Sequence, residues 1–477
     1  MTLKDQAFTS VFWSAVERFS VQGGQIVIEI VLARLLMPDD YGLIAILGVF
    51  LAIAQTFIDG GFSNALIQKK DRNDVDYSTI LYFNVFVALV SYLLLVASAP
   101  SIASFYNEPK LVPVAQVIGL NLIVSALSIV QRTKLMIALD FKRQALISFS
   151  SILLSGTCSI TLAYNGWGVW ALVWQVLINN CCISLLLWLS SSWKPLFVFS
   201  AASFKSLFPY GMRLLLASLM QTIYLNLYTI VIGKRFSSQV LGYYNRANVL
   251  SQVPSYKLTE IMTNAMFPIQ CKIQDDDEKL SSSFISYLRM SCFIIFPLTL
   301  GLCALADPVV ELVLTAKWLP MAPLLQLLCL AYMWTPVMAL NHNLLKVKGR
   351  MDYFLRAEII KKVVAVSILA LSLIGGIRML CAGLIFYSFA DIFIITRYSS
   401  RVVSVTLMRQ IRELFGIFAI SLSMGVFVYC VQLFISPVLL KIGIGLLAGM
   451  SYYIGMAYIC RVTELGILWN KVIKRKG

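Results

Sequence analysis

The chain has 477 residues, 59% of them hydrophobic and 13% charged, with a mean hydropathy of +0.81 and a formal net charge of +16. Soluble domains average about 45–50% apolar and about 25% charged residues, so the composition excludes a soluble enzyme on a single anchor and defines a polytopic membrane protein. The positive balance reads as a topology signal, because no basic and aromatic platform for nucleic acid accompanies it.

Met1 to Thr9 is short and polar, and the apolar segment behind it is too long and too polar for a cleaved leader, so it is expected to stay as the first span. Apolar segments long enough to span follow near residues 8–33, 41–67, 78–105, 112–131, 144–164, 167–190, 209–233, 241–270, 284–305, 320–345, 354–375, 379–398, 412–434 and 438–460, fourteen in all.

In the first span Ser14, Arg18, Gln22, Gln25 and Glu29 step by 4, 4, 3 and 4, which makes one helical face polar, with Glu17 beside it and Gly23-Gly24 at its middle. The second span carries Gln55 and Asp59 four apart, then Gly60-Gly61. The third to sixth spans are more uniformly apolar, with Asn84 a minor exception, and read as scaffold. The seventh places Arg213, Gln221, Tyr224 and Tyr228 on one face. In the eighth, Arg246, Lys257, Glu260 and Asn264 share a face, and mid-helix Pro254 predicts a kink. Charges in hydrocarbon cost several kcal/mol, so such stripes must face protein or a water-filled cavity.

Each charge has a second reading. Glu17, Arg18 and Arg246 could sit at wet helix ends, Lys257 and Glu260 could form a structural ion pair, and Asp59 could cap the break at Gly60-Gly61. Glu358, Lys361 and Lys362, near the start of the eleventh span, read as snorkelling to the interface. His342, the only histidine, is expected in a solvated loop position near a helix end, and Asp275-Asp276-Asp277-Glu278 reads as a solvated loop. The ten cysteines fall mostly in apolar segments and lack metal-ligand spacing, so no metal or cofactor is expected.

An internal duplication is written into the chain. Val31-Leu32-Ala33-Arg34 lies under Val231-Ile232-Gly233-Lys234, Gly42 under Gly242, and Ser63-Asn64-Ala65 under Thr263-Asn264-Ala265, all at an offset of 200. Lys110-Leu111-Val112-Pro113 resembles Lys317-Trp318-Leu319-Pro320 at 207, and Asp140-Phe141 with Ala145 resembles Asp352-Tyr353 with Ala357 at 212. The expected organisation is a six-helix bundle over 1–195, a second over 205–400, an extra helix pair over 410–464 and a basic tail over 465–477. Six is even, so the bundles share an orientation and are expected to be related by a pseudo-twofold axis along the membrane normal, with a cavity between them.

With the N-terminus in the cytoplasm, 25 Lys and Arg fall in cytoplasmic segments, such as Lys69, Arg132, Lys142 and Lys348, against 7 on the other side. This bias supports an even number of spans and both termini inside.

The chain resembles the polysaccharide transport family of the multidrug/oligosaccharidyl-lipid/polysaccharide flippase superfamily, the Wzx-type lipopolysaccharide and exopolysaccharide exporters. The resembling pieces are Ala33-Arg34-Leu35-Leu36-Met37-Pro38 with Tyr41-Gly42, Asp59 to Gln68, Asp140-Phe141-Lys142-Arg143, Ile232-Gly233-Lys234 with Leu241 to Ala247, and Phe267-Pro268; Lys234 stands where the family more often has arginine. The resemblance implies two six-helix bundles around a cavity in the bacterial inner membrane. It implies an oligosaccharide on a polyprenyl diphosphate as substrate, alternating access, and coupling to an ion, H+ or Na+, that the sequence does not identify. A polysaccharide polymerase and chain-length machinery are the partners it implies.

The candidate cavity residues are Arg18, Gln22, Gln25, Glu29, Asp59, Arg213, Gln221, Tyr224, Arg246, Lys257, Glu260 and Asn264. Cations there would favour a diphosphate, and the amides and tyrosines can hydrogen-bond or stack on sugars. Two other readings within the superfamily are a lipid II flippase, which has the same number of helices, and a drug/cation antiporter, which wants twelve helices and an acidic or apolar pocket. A membrane enzyme would need a catalytic base on an outer loop, and the longest, near Ala306 to Leu319, offers only Asp307 and Glu311.

Overall fold

The structure is a computed structural model that describes residues 20–69 and 71–467, without the side chains of Ser206, Tyr210 and Arg213. Among the described residues the fold is all-helical. Helix α1 covers 20–35. It is followed by α2 (Pro38–Asp59), α3 (Phe62–Gln68), α4 (Asp74–Tyr106), α5 (Leu111–Ile118), α6 (Leu120–Ile137), α7 (Phe141–Tyr164), α8 (Val169–Ser190) and α9 (Ala201–Arg235). Then come α10 (Ser238–Gln252), α11 (Leu258–Lys272), α12 (Asp277–Ala304), α13 (Ala306–Leu314), α14 (Ala322–Tyr332) and α15 (Thr335–Val347). The last are α16 (Met351–Ser372), α17 (Gly376–Ser399), α18 (Leu407–Leu433) and α19 (Val438–Ile459).

Eleven described segments are long and apolar enough to cross a membrane. One of them, Met351–Ser399, contains both α16 and α17, which makes twelve crossings. The remaining two of the fourteen expected are the first span, of which the described residues hold α1, and the charged α10–α11 pair. The protein is therefore a multi-pass membrane protein. The eighth span breaks where Pro254 predicts it: a π-helical turn over Val253–Lys257 separates α10 from α11, as expected where proline removes a ladder donor.

Local signals set the ends. Pro38 opens α2, and the Asp40 carboxylate accepts from the Met37 N–H at 3.0 Å. Gly60 and Gly61, both at positive φ, break α2 from α3; this backbone is open to glycine at little cost. Asn73 and Asp76 close a reciprocal cap on α4. Asp276 caps α12 and Asp277 pairs with Lys348 at 2.6 Å, so the aspartate run is partly structural. The expected outer loop is helical instead, formed by α13 and a 3-10 turn over Ala316–Met321.

Packing divides the chain into two compact units, Met1–Gly242 and Tyr243–Gly477. In the first, α9 packs on α2, α3 and α4, so the opening helix of the second repeat joins the first unit. The strand-free link before α9 is tied to α4, with Leu196 N–H donating to Ser78 Oγ (2.9 Å) and Ser200 N–H to Thr79 Oγ1 (3.1 Å). Trp193 from this link and Tyr77 flank the Lys134 ammonium at 4.9 and 4.7 Å from their ring centroids. A methyl group on Gly42 would lie 1.8 Å from the Ser238 carbonyl oxygen, and one on Gly242 2.0 Å from the Pro38 carbonyl oxygen. At the offset of 200, Pro38 matches Ser238 and Gly42 matches Gly242, so this crossing is reciprocal, as a local twofold relation requires.

In the second unit α12 packs on α18, α16 on α17 and α14 on α17. Its core is built on Phe284, Phe296, Leu288 and Leu300. The two C-terminal helices are tied back by Gln432 Nε2 donating to the Ala304 carbonyl (2.7 Å) and Tyr453 OH to the Phe293 carbonyl (2.8 Å). Arg289 joins Glu413 (2.7 Å) and Glu464. Burial is the largest single influence on Glu464 and raises its pKa, but the hydrogen bonds from Arg289, its own backbone and Thr463, with the Arg289 charge, together outweigh it and hold the carboxyl below its ordinary value of 4.5.

Candidate functional site: two repeat-related polar pockets

In the first unit a pocket of about 660 Å³ opens between α2, α3, α6, α8 and α9. The break at Gly60-Gly61 turns the end of α2 into its wall, and Asp59, Gly61, Ser63 and Asn64 line it together. Asp59 accepts from Gln55 Nε2 at 3.0 Å, and Gln55 Oε1 accepts from Ser125 Oγ at 2.9 Å. Thr56 Oγ1 and Thr222 Oγ1 share a hydrogen bond of 3.0 Å across α2 and α9. Arg132, Asn121 and Asn180 complete the polar lining. Arg132 has no acidic partner within salt-bridge distance among the described residues, but acts on Asp59 through space. The Asn121 side-chain oxygen is buried with no hydrogen-bond partner. The pocket thus offers one exposed cation and a ring of amides and hydroxyls, the set that suits phosphate and sugar hydroxyls.

In the second unit a pocket of about 390 Å³ is lined by Thr263, Asn264, Phe267, Ala339, His342, Asn343 and Lys346. Its lining repeats that of the first. Ser63 and Asn64 match Thr263 and Asn264 at an offset of 200, and Ile129, Arg132, Thr133 and Met136 match Ala339, His342, Asn343 and Lys346 at 210. The drift from 200 to 210 continues to the 212 seen at Asp352. Two pockets from two sets of corresponding positions are a structural consequence of the duplication.

The sequence-derived site residues separate into groups. Asp59 lines the first pocket and Asn264 the second. Gln25 donates to Glu29 at 3.3 Å within α1, and neither lines either pocket, nor does Gln22. Gln221 and Tyr224 lie on α9 and Arg246 on α10, also outside both linings. Lys257 and Glu260 are exposed and form no ion pair with each other among the described residues, so the structural-pair reading is not what the helix shows. Arg18 lies outside the described residues, as does the side chain of Arg213.

Two readings are corrected. His342 is inside α15 with its side chain 15% exposed, because α15 continues through Val347. Lys361 is 7% exposed and paired, not snorkelling, because α16 turns that face inward onto α15 and α17. The sequence reading also missed Arg132, placed in a loop by a span ended at 131 where α6 continues to Ile137, and Asn121 and Asn180, which are single polar positions in apolar helices. The available signal was the polar residue inside a span.

The fold is similar to those of solved flippase and drug-transporter structures. The structure superposes on a lipid II flippase, MurJ in an inward closed conformation, with a TM-score of 0.74 over 94% of this chain and 98% of that one, at 14% identity. An inward-facing multidrug resistance transporter of the MATE family gives 0.62 over 82% of this chain and 98% of that one, also at 14% identity. The sequence model of a family described as polysaccharide biosynthesis protein matches residues 31–323. The chain belongs to that family. It is 29% identical to the lipopolysaccharide biosynthesis protein WzxC of Escherichia coli (strain K12) over 76% of this chain and 74% of the relative. It is 26% identical to the teichuronic acid biosynthesis protein TuaB of Bacillus subtilis (strain 168), over 74% and 73%.

Proposed function

We infer that the protein is a flippase that moves polyprenyl-diphosphate-linked oligosaccharide repeat units across the inner membrane for surface polysaccharide synthesis. The observation that carries this is the first pocket: a cation, three asparagine amides and several hydroxyls inside an apolar helical unit. Membership of a polysaccharide biosynthesis family supports the same substrate class. Arg132 would grip the diphosphate, which arginine can do through two parallel hydrogen bonds. Asn64, Asn121, Asn180 and Ser128 would meet the sugar hydroxyls. The polyprenyl tail stays in lipid, and no covalent chemistry is asked of the protein. The basic bias of the sequence supports both termini in the cytoplasm, and a polymerase would take up the exported unit.

The test is deletion with complementation. Loss of the protein should leave lipid-linked repeat units on the cytoplasmic leaflet and remove surface polysaccharide. The similarity to a lipid II flippase keeps a second reading, which the same strain resolves: rescue of a strain depleted of its lipid II flippase, with normal surface polysaccharide after deletion, would overturn the oligosaccharide reading.

A further inference from the structure

The wall of the second pocket continues into a buried cluster of ionisable groups. Lys361 Nζ on α16 lies 2.7 Å from His342 Nε2, 3.0 Å from Glu358 Oε1 and 3.0 Å from Asp391 Oδ2 on α17. His342 Nε2 is 3.3 Å from the same Glu358 oxygen. Lys361 is 7% exposed and Asp391 5% exposed. An ammonium only donates, so the imidazole nitrogen facing it accepts and His342 is neutral in this arrangement. Two carboxylates then stand against one ammonium, and the cluster holds one negative charge in excess.

The architecture does not require this cluster. At the offset of 212, Glu358 and Lys361 fall on Leu146 and Phe149 of α7, and at 210 His342 falls on Arg132. Asp391 falls on Asn179 at 212, so the first half folds the same helices with no carboxylate and no lysine at these positions. The charged and titratable groups around Asp391 are few. They are Lys361 and Glu358 from α16, His342 and then Lys346 from α15, and Tyr387 on its own helix. Helix α14, packed on the other side of α17, has no charged residue.

We propose that the second pocket is a diphosphate-binding subsite whose affinity is set by one proton taken up by the Glu358–Lys361–Asp391 cluster behind His342. The proposal rests on the flippase reading for the identity of the anion. The proton comes from hydronium in bulk solvent: one O–H bond of hydronium breaks, neutral water is left, and a new O–H bond forms on a carboxylate oxygen of Asp391. Asp391 becomes neutral, Lys361 keeps Glu358 and His342, and the cluster's excess negative charge disappears. The positive charge of Lys346, which has no acidic partner among the described residues, then faces the pocket uncompensated. In a partly desolvated pocket one unit of charge is a large change for an anion. Asn264 and Asn343 supply the hydrogen bonds that hold it. The first pocket, with its permanent Arg132, has no such dependence.

The experiment uses the full chain in nanodiscs of zwitterionic lipid and P1,P2-dimethyl diphosphate, a diester that keeps its two charges between about pH 5.5 and 8, with affinity read by calorimetry. Wild type should bind about tenfold more tightly at the acidic end. Arg132→Gln, which removes the first pocket's cation, should keep the pH dependence; in that background Asp391→Asn should bind tightly with little pH dependence and Lys346→Gln should bind weakly throughout. If Asp391→Asn fails to fold, Glu358→Gln serves, and it should likewise flatten the profile. Wild-type pH dependence in folded Asp391→Asn or Glu358→Gln, or unchanged affinity in Lys346→Gln, overturns the proposal. A pH-independent wild type that still restores polysaccharide export to the deletion strain overturns only this subsite. A pH-dependent wild type that restores no export overturns the flippase reading and leaves an anion site.

Discussion

The two pockets start from corresponding positions and reach different chemistry. Arg132 is exposed and forms no ion pair among the described residues, whereas its counterpart His342 is mostly buried and held by Lys361 and Glu358. The first pocket's lining is hydroxyl-rich, with Ser63, Ser125, Ser128 and Thr133, and the second's has Thr263, Asn264 and Asn343. Duplication thus supplied a common frame of helix ends, and single substitutions behind that frame gave one half a fixed cation and the other a cation balanced by buried acids. The difference also separates two roles for charge. An exposed cation at a pocket can be removed at small structural cost, while a cation buried between acids cannot.

The largest effect should come from Lys361→Met. It leaves Glu358 and Asp391 without their shared counter-ion, and loss of one partner of a buried pair costs about 3–5 kcal/mol. Thermal unfolding and membrane protein level should both fall. Adding Glu358→Gln and Asp391→Asn should restore most of the loss. Phe149→Leu at the corresponding first-half position should cost under about 1.5 kcal/mol. Equal effects in the two halves would show that the buried charges carry no special weight.

Next in size is the crossing that both halves share. Gly42→Ala places a methyl group 1.8 Å from the Ser238 carbonyl oxygen, and overpacking of this kind costs about 1–3 kcal/mol. Gly242→Ala should behave alike, because the contact is reciprocal. Gly48→Ala on the same helix meets nothing within 4 Å and should be neutral or slightly stabilising. Thermal melts of the three purified variants check this.

Arg132→Gln should leave the protein level unchanged and lower polysaccharide export about tenfold, a change of about 1.4 kcal/mol in transition-state terms. Arg132→Lys should keep part of the activity, since lysine retains the charge without the planar fork. Full export from Arg132→Gln at normal protein level would remove the first pocket from the substrate path.

The smallest effect concerns a group remote from both pockets. The Glu464 pKa is lowered in the fold, so its contribution is present above its unfolded value near 4.5 and is lost as pH falls through the lower folded value. Glu464→Gln should therefore flatten the acid limb of the stability curve by about 1 kcal/mol, with no effect on the pH dependence of anion binding. A shift in that dependence would mean that the two charge networks of the second unit are linked.

Much of this molecule follows from its sequence. Hydrophobic length gives the spans, because a helix needs about 20 apolar residues to cross the hydrocarbon. The shared residues at offsets 200 to 212 give the duplication, and Pro254 gives the break filled by the π-helical turn. Helical period also correctly grouped Gln55 with Asp59, which hydrogen-bond one turn apart. Period fixes which residues share a face of one helix, but not which other helix that face meets. That is why Gln25 and Glu29, equally well spaced, pair with each other and line neither pocket, and why Arg132, Asn121 and Asn180 converge from different helices without any local pattern. The same holds for His342, Glu358, Lys361 and Asp391: three helices bring them together, and only their packing decides that a lysine near a helix start is buried between acids and not reaching for water.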